Sequence, residues 1–184
     1  QEYYFNCDIS EWDVSNVIDM SHMFSHAMSF NQDISEWDVS SVKNMNAMFY
    51  EAKAFNQDIS RWDVSNVTNM FCMFLNADSF NQPIGDWDVS SVIITAGMFN
   101  NSKAFNQPLN NWDVSNIMNM GSMFKNSPFN QPLDKWDVSN VSHMDEMFEL
   151  TKFNQDISMW KINPNCNTKS MFSLVELEEK YKPK

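Results

Sequence analysis

The apolar positions of this chain recur in a fixed pattern. Within 30–54, Val42, Met45, Phe49 and Ala52 are spaced by three, four and three residues, and Met48 widens the same face. That spacing predicts a short amphipathic α-helix. Val17, Met20, Phe24 and Ala27 repeat it, and so do Val67, Met70, Phe74 and Ala77. Just upstream, Trp37 and Val39 alternate with Glu36 and Asp38, the period-two signature of a strand. Ile34 and Trp37 are three residues apart, so one straight strand cannot bury both, and a bend is expected near Ser35. Ser40, preceded by Asp38, reads as a helix N-cap, where a side-chain oxygen takes an orphan amide hydrogen.

The unit is copied along the whole chain. Tryptophan stands at 12, 37, 62, 87, 112, 136 and 160 and nowhere else, in steps of 25, 25, 25, 25, 24 and 24. A period of this size means a stacked array in which each copy packs mainly on its neighbours. One domain, 1–184, is expected, with coils starting near Phe5, Phe30, Phe55, Phe80, Phe105, Phe129 and Phe153. Each coil reads as extended segment, bend, short parallel strand, turn, short helix and loop, an α/β repeat solenoid. The two short copies lose their residue just before Phe129 and Phe153, in a loop where deletion costs least. Two phenylalanine columns, headed by Phe5 and Phe24, use 14 of the 15 phenylalanines and read as core. The Asn6, Asn31, Asn56, Asn81, Asn106, Asn130 and Asn154 column reads as a ladder bonding loop backbone between coils. In the seventh copy Lys161-Ile162-Asn163-Pro164-Asn165 replaces the usual Asp-Val-Ser-Asn-Val, and 173–184 reads as a C-terminal cap. Tyr3 and Tyr4 are candidates for a thin lid at the other end. Gln1 starts almost directly on a repeat, so the chain reads as mature, processed or a fragment.

Composition narrows the function classes. With 43 % hydrophobic and 14 % aromatic residues the chain is no disordered tail. A net charge of −12 argues against nucleic acid, which calls for clustered Lys and Arg. No apolar run approaches the roughly 18–20 residues of a membrane span. Cys7, Cys72 and Cys166 fall in different copies, and coils about 5 Å apart leave the first two about 10 Å from each other. That exceeds disulfide reach, so free thiols are expected.

No catalytic grouping, cofactor motif or phosphate loop is present. His22 and His26, at i and i+4 of the first expected helix, lack an evident third metal ligand. Asp13, Asp38, Asp63, Asp88, Asp113 and Asp137 form a ladder whose charges repel at coil spacing. The expected reading is local capping of turn amides without metal; Ca²⁺ held between coils is the alternative. The acidic column Asp8, Asp33, Asp58 and Asp156 becomes Pro83, Pro108 and Pro132 in other copies, which rules out an obligatory ligand series. N-x-S/T motifs occur at Asn66, Asn100 and Asn140 and matter only in a protein secreted by a eukaryote.

Two surfaces remain as candidates. Helical phase places Tyr50, Leu75, Ile93 and Met118 opposite the core, with Phe71 and Ile94 flanking, which suggests a docking patch on the helix side. On the strand side, Glu11, Glu36, Arg61, Asp86, Asn111 and Lys135 share one column and change sign on a constant frame. Such variation suits ligand reading.

The block F-N-Q-D-I-S-x-W-D-V-S-N-V-x-x-M-x-x-M-F-x-x-A resembles the BspA-like leucine-rich-repeat surface proteins, in the 25-residue form of mycoplasma lipoprotein-associated repeats. The likeness spans about residues 5–172 and rests on Phe30-Asn31-Gln32, Trp37-Asp38-Val39-Ser40 and Met48-Phe49, which recur in order. It implies a right-handed leucine-rich-repeat-like stack at a cell surface or secreted, used for adhesion or protein contacts. The resulting expectation is a non-enzymatic binding module, without cofactor, for a protein partner or its own copies. A structural assembly subunit is the alternative.

Overall fold

The computed structural model describes residues 3–183, and it is built almost entirely from turns. Among those residues the only helix is a 3₁₀ turn, Glu179–Tyr181, and the only extended pairings are isolated parallel bridges. The bridges run Asp19, Asn44, Asn69, Ile94, Asn119, His143 and Asn167, one residue per coil. The expected α/β solenoid, with a strand and a helix in each leucine-rich-repeat-like coil, is therefore wrong. Among the described residues no helix is long and apolar enough to cross a membrane.

The reason lies in what closes each coil. In 30–55, backbone hydrogen bonds join Trp37 to Ile34, Val42 to Val39, Met48 to Met45, Tyr50 to Ala47, Ala52 to Phe49 and Phe55 to Ala52, all i to i+3. A four-residue turn brings its first and last side chains to the same side, so successive turns reproduce the three-and-four spacing of a helix. The bend expected near Ser35 is the first of these turns. The amides that a helix would keep inside itself go to the neighbouring coil. Met70, Cys72, Phe74 and Asn76 donate to the carbonyls of Ile94, Ala96, Met98 and Asn100 at 2.9, 2.9, 2.9 and 3.0 Å, and this four-bond ladder recurs at each junction from the first coil to the seventh.

Alternate amides can point along the stack only if the backbone reverses locally. Two residues per coil do this with positive φ. One column is His22, Ala47, Cys72, Gly97, Ser122, Glu146 and Ser170; the other is His26, Glu51, Asn76, Asn101, Asn126, Leu150 and Leu174. Left-handed backbone costs a non-glycine residue about 1–2 kcal/mol, which the inter-coil bonds and the core offset.

The core between these walls is aromatic. Phe49 stacks at 3.9 Å on Phe55, which opens the next coil, and at 5.5 Å on its column mates Phe24 and Phe74. Such pairs contribute about 0.5–1.5 kcal/mol beyond area burial. The tryptophans from Trp37 to Trp160 are 2–4 % exposed. Each also donates its indole N–H to a carbonyl of the preceding coil, as Trp87 does to Ile59 at 3.1 Å. The asparagine column bonds as the sequence suggested: Asn81 N–H donates to Asn56 Oδ1 at 2.9 Å, and Asn106 N–H to Asn81 Oδ1 at 3.0 Å.

The C-terminal segment folds back on the last coil. Tyr181 O accepts from Ile157 N–H at 3.1 Å, and Leu177 is buried. Residues 1, 2 and 184 lie outside the described residues, so the expected cap ending at 184 and the span from 1 are seen only within 3–183. Tyr3 and Tyr4, the candidate lid, are exposed.

Candidate functional site

The Asp column sits on an outer corner of the coils, where the chain turns from the Trp segment toward the bridge. Asp38 Oδ1 accepts from Ser40 N–H at 3.0 Å and from Ser40 Oγ–H at 2.6 Å, and Asp13, Asp63, Asp88 and Asp113 do the same with their own serines. Asp137 takes the Ser139 amide. These are Asx turns, and Ser40 is the donor rather than a helix N-cap. The serine hydroxyl first, and then its amide, hold Asp13, Asp38, Asp88 and Asp137 below the usual carboxylate value. Asp8, Asp33, Asp58 and Asp156 make the equivalent bond to Ser10, Ser35, Ser60 and Ser158. Each carboxylate spends an oxygen on its own turn. Among the described residues no three His, Cys, Asp or Glu side chains converge as metal ligands.

His22 and His26 do not share a helix face, since both have positive φ and no helix exists there. His26 Nδ1 lies 3.0 Å from Glu51 Oε2 and its ring meets Tyr50 edge-on. Burial raises the Glu51 carboxyl, but the hydrogen bonds from His26, Tyr50 and Asn76 and the attraction of His26 together leave it below its ordinary value. The contact heads a polar chain that sequence reading missed. Asn76 Nδ2 reaches Glu51 Oε1 at 3.4 Å, Asn101 donates to Asn76, and Asn126 to Asn101 Oδ1 at 2.7 Å. All five sit in the second positive-φ column, and asparagine is enriched in left-handed backbone, which was the available signal.

The cysteines are free; burial pushes the Cys72 thiol up to about 11, which makes it a poor nucleophile at neutral pH. Asn66 and Asn140 are exposed but donate their side-chain amides to Ser40 O and Ser115 O, while Asn100 is half-buried.

Of the apolar patch, Phe71, Ile93 and Met118 are 44, 42 and 53 % exposed. Ile93 and Met118 occupy the same position of adjacent coils, joined by the Met118 N–H to Ile93 O bond. Tyr50, Leu75 and Ile94 are half-buried. Tyr50 is engaged by His26, and Ile94 takes an asparagine's place in the bridge column. The patch is thus narrower than helical phase suggested, and it lies on a turn-built wall. Ile18 and Leu174, exposed elsewhere, were not singled out from the sequence. On the Trp side, Glu11, Glu36, Arg61, Asp86, Asn111 and Lys135 are all exposed. Asp33, Ser35, Glu36, Gln57, Asp58 and Arg61 border a shallow hollow of about 190 Å³.

This architecture defines a tandem-repeat stack whose distinctive chemistry lies in its backbone ladders. The chain belongs to the family described as Mycoplasma protein of unknown function, DUF285, whose model matches residues 1–107 and 82–181. Neither a curated protein nor a solved structure matches it. The resemblance read from the repeat block holds at the level of a mycoplasma-type repeat family. Its leucine-rich-repeat part does not, because the coils lack the strand and helix that such repeats require.

Proposed function

We propose that this protein is a non-enzymatic binding module that engages a protein partner through Phe71, Ile93 and Met118, at a cell surface or outside the cell. The observation that carries the reading is the exposure of these three large apolar side chains on adjacent coils of a chain with a net charge of −12. Exposed apolar groups of this kind have a solubility cost that a partner removes, and the polar surround limits unspecific contact. The regular stack supports the reading physically: inter-coil ladders hold the wall rigid, so little ordering entropy is lost on binding. Family membership supports a mycoplasma-type repeat protein without naming a ligand.

The test compares wild type with Phe71→Ser/Ile93→Ser/Met118→Ser in affinity capture from the native source. The side chains are exposed, so the melting temperature should stay close to wild type. The specifically captured protein should be lost from the variant. Undiminished capture would reject the patch and shift attention to the Glu11–Lys135 column. Turnover of any co-purified small molecule would reject the non-enzymatic reading.

A further inference from the structure

The fourth coil breaks the repeat at one backbone hydrogen bond. Elsewhere the bridge residue usually caps the amide two residues on with its own side chain. Asn44 Oδ1 accepts from Asn46 N–H at 3.1 Å, Asn69 Oδ1 from Phe71 N–H at 3.0 Å and Asn119 Oδ1 from Gly121 N–H at 3.0 Å. Asp19 and Asn167 do the same for Ser21 and Lys169. Ile94 stands in that column, and its side chain has no polar atom to offer. The Ala96 N–H therefore has no acceptor among the described residues. Its neighbours are satisfied: Thr95 N–H reaches Asn119 O at 3.0 Å, and Gly97 N–H reaches Gly121 O at 2.8 Å. Ala96 is 6 % exposed, and amides so shielded are rarely left without a partner.

The vacancy lies within the apolar patch. Ile93 precedes Ile94, Met118 is bonded to Ile93 across the junction, and Phe71 is the equivalent of Ala96 one coil earlier. The asparagines that cap this position in other coils, Asn44, Asn69 and Asn119, are half-buried, so these amides face the side on which the patch is open. Ile94, itself half-buried, adds apolar surface where an asparagine would add a cap. The sixth coil also lacks the cap: His143 holds the bridge position, and the Asp145 amide has no acceptor among the described residues. There, however, the neighbouring Ser142 and His143 are polar. Among the described residues the missing acceptor and large exposed apolar side chains coincide at the fourth coil alone. A local rule broken where the neighbours obey it marks a position shaped by function.

The chemistry of the occupant follows from what the vacancy lacks. An unpaired N–H takes an oxygen acceptor. The net charge of −12 disfavours a carboxylate, and no free cation lies beside the vacancy to hold one. Lys43 is two coils away in the column of Ile93, and Lys125 is held at 2.7 Å by both Glu146 and Glu149. A neutral carbonyl remains. An extended peptide delivers such a carbonyl together with apolar side chains at every second residue.

We propose that Ile94 sets the specificity of the patch: it withholds the in-chain acceptor, and the partner supplies one, a backbone carbonyl of an uncharged, extended peptide segment whose apolar side chains lie on Phe71, Ile93 and Met118. This role for Ile94 rests on the docking function proposed for the patch and names what docks there. A partner without a carbonyl at that point leaves the amide unpaired in a drier site, which discriminates against it.

Selection of displayed random peptides on the full chain, followed by anisotropy titration of the selected peptides with both termini blocked, tests the assignment. The selected sequences should be uncharged and apolar, and should not bind Phe71→Ser/Ile93→Ser/Met118→Ser. Ile94→Asn returns an acceptor to Ala96, so it should melt close to wild type yet bind about tenfold more weakly, the worth of one net hydrogen bond. Ile94→Val keeps the amide free and should bind like wild type. On the peptide side, an ester in place of one backbone amide weakens that carbonyl as an acceptor. A single such position should reproduce the loss without touching the protein, which keeps the test valid if Ile94→Asn does not fold. Equal binding by Ile94→Asn and wild type, with no ester-sensitive position, would overturn the role of Ile94 and leave the docking patch standing. Peptides that still bind the triple variant, or a selection that enriches nothing over it, would reject patch and role together. Acidic selected peptides, or sedimentation showing that the wild type self-associates through these residues, would overturn the proposal by naming a different occupant.

Discussion

At the residue scale, glycine is used where neighbouring coils press closest. A Cβ on Gly85 would lie 2.4 Å from the Pro108 carbonyl oxygen, a backbone atom that cannot yield. A Cβ on Gly97 would lie 2.8 Å from Cys72 Sγ, the free end of a side chain. Gly97 has φ 66°, but Ala47, Cys72 and Ser122 hold the equivalent backbone in other coils, so the conformation alone does not demand glycine. Gly85→Ala should therefore destabilise by about 1–3 kcal/mol, the usual range for overpacking. Gly97→Ala should cost less, and Cys72→Ala should recover most of that loss in the double variant, because the conflict is pairwise. Urea unfolding of the four variants measures this. A Gly97→Ala loss that Cys72→Ala leaves untouched would place the strain in the backbone.

At the scale of the element, the Asx turn is the recurring device, and its carboxylates link stability to pH. Asp13, Asp38, Asp88 and Asp137 lie below their ordinary value of 3.8 when folded, chiefly through the serine hydroxyl. A depressed folded value means stability that is present above the unfolded value and is lost as pH falls through the folded one. Melting temperature should thus be flat across neutral pH and fall as the medium is acidified below about 3.8. Asp38→Asn should melt near wild type at pH 7, since an amide oxygen still accepts from Ser40, and should blunt the acid loss; Asp38→Ala should be less stable at pH 7. If Asn and Ala are equally damaging there, the charge itself is needed, as cation binding would require. These turns were partly legible in the sequence: the D-V-S spacing gave the capping role of Asp38, and alternation gave the burial of Trp37 and Val39. The helix was misread because Val42, Met45, Phe49 and Ala52 satisfy turn closure and helical phase equally. What decides between them is where alternate amides point. That is a long-range property, visible in sequence only through the Asn76, Gly97, Asn101 and Asn126 residues at left-handed positions. The His26-to-Asn126 chain stayed hidden for the same reason, because it exists only once the coils are in register.

At the scale of the whole molecule, stability should vary along the stack because each coil depends on its two neighbours. Trp87 is 3 % exposed, donates its indole N–H to Ile59 O, and lies between intact coils. Trp12 is 52 % exposed, has no acceptor for its indole among the described residues, and packs on Trp37 from one side only, at 6.4 Å. Trp87→Ala should cost about 3–5 kcal/mol, as expected for a large aromatic removed from a core. Trp12→Ala should cost about 1 kcal/mol or less, since half its surface is already wet. The lesions should also differ in kind. Removing Trp87 weakens a junction with folded coils on both sides, so the array should lose its single transition and open in two blocks. Removing Trp12 frays one end and leaves the rest cooperative. Native-state amide exchange resolves the difference residue by residue. The Met70–Ile94 and Phe74–Met98 ladder bonds should be among the slowest in wild type and should be strongly accelerated by Trp87→Ala, whereas Trp12→Ala should accelerate only bonds such as Met20–Asn44. Equal acceleration at both places by either substitution would mean that the stack unfolds as one unit, and that nearest-neighbour coupling does not set its stability.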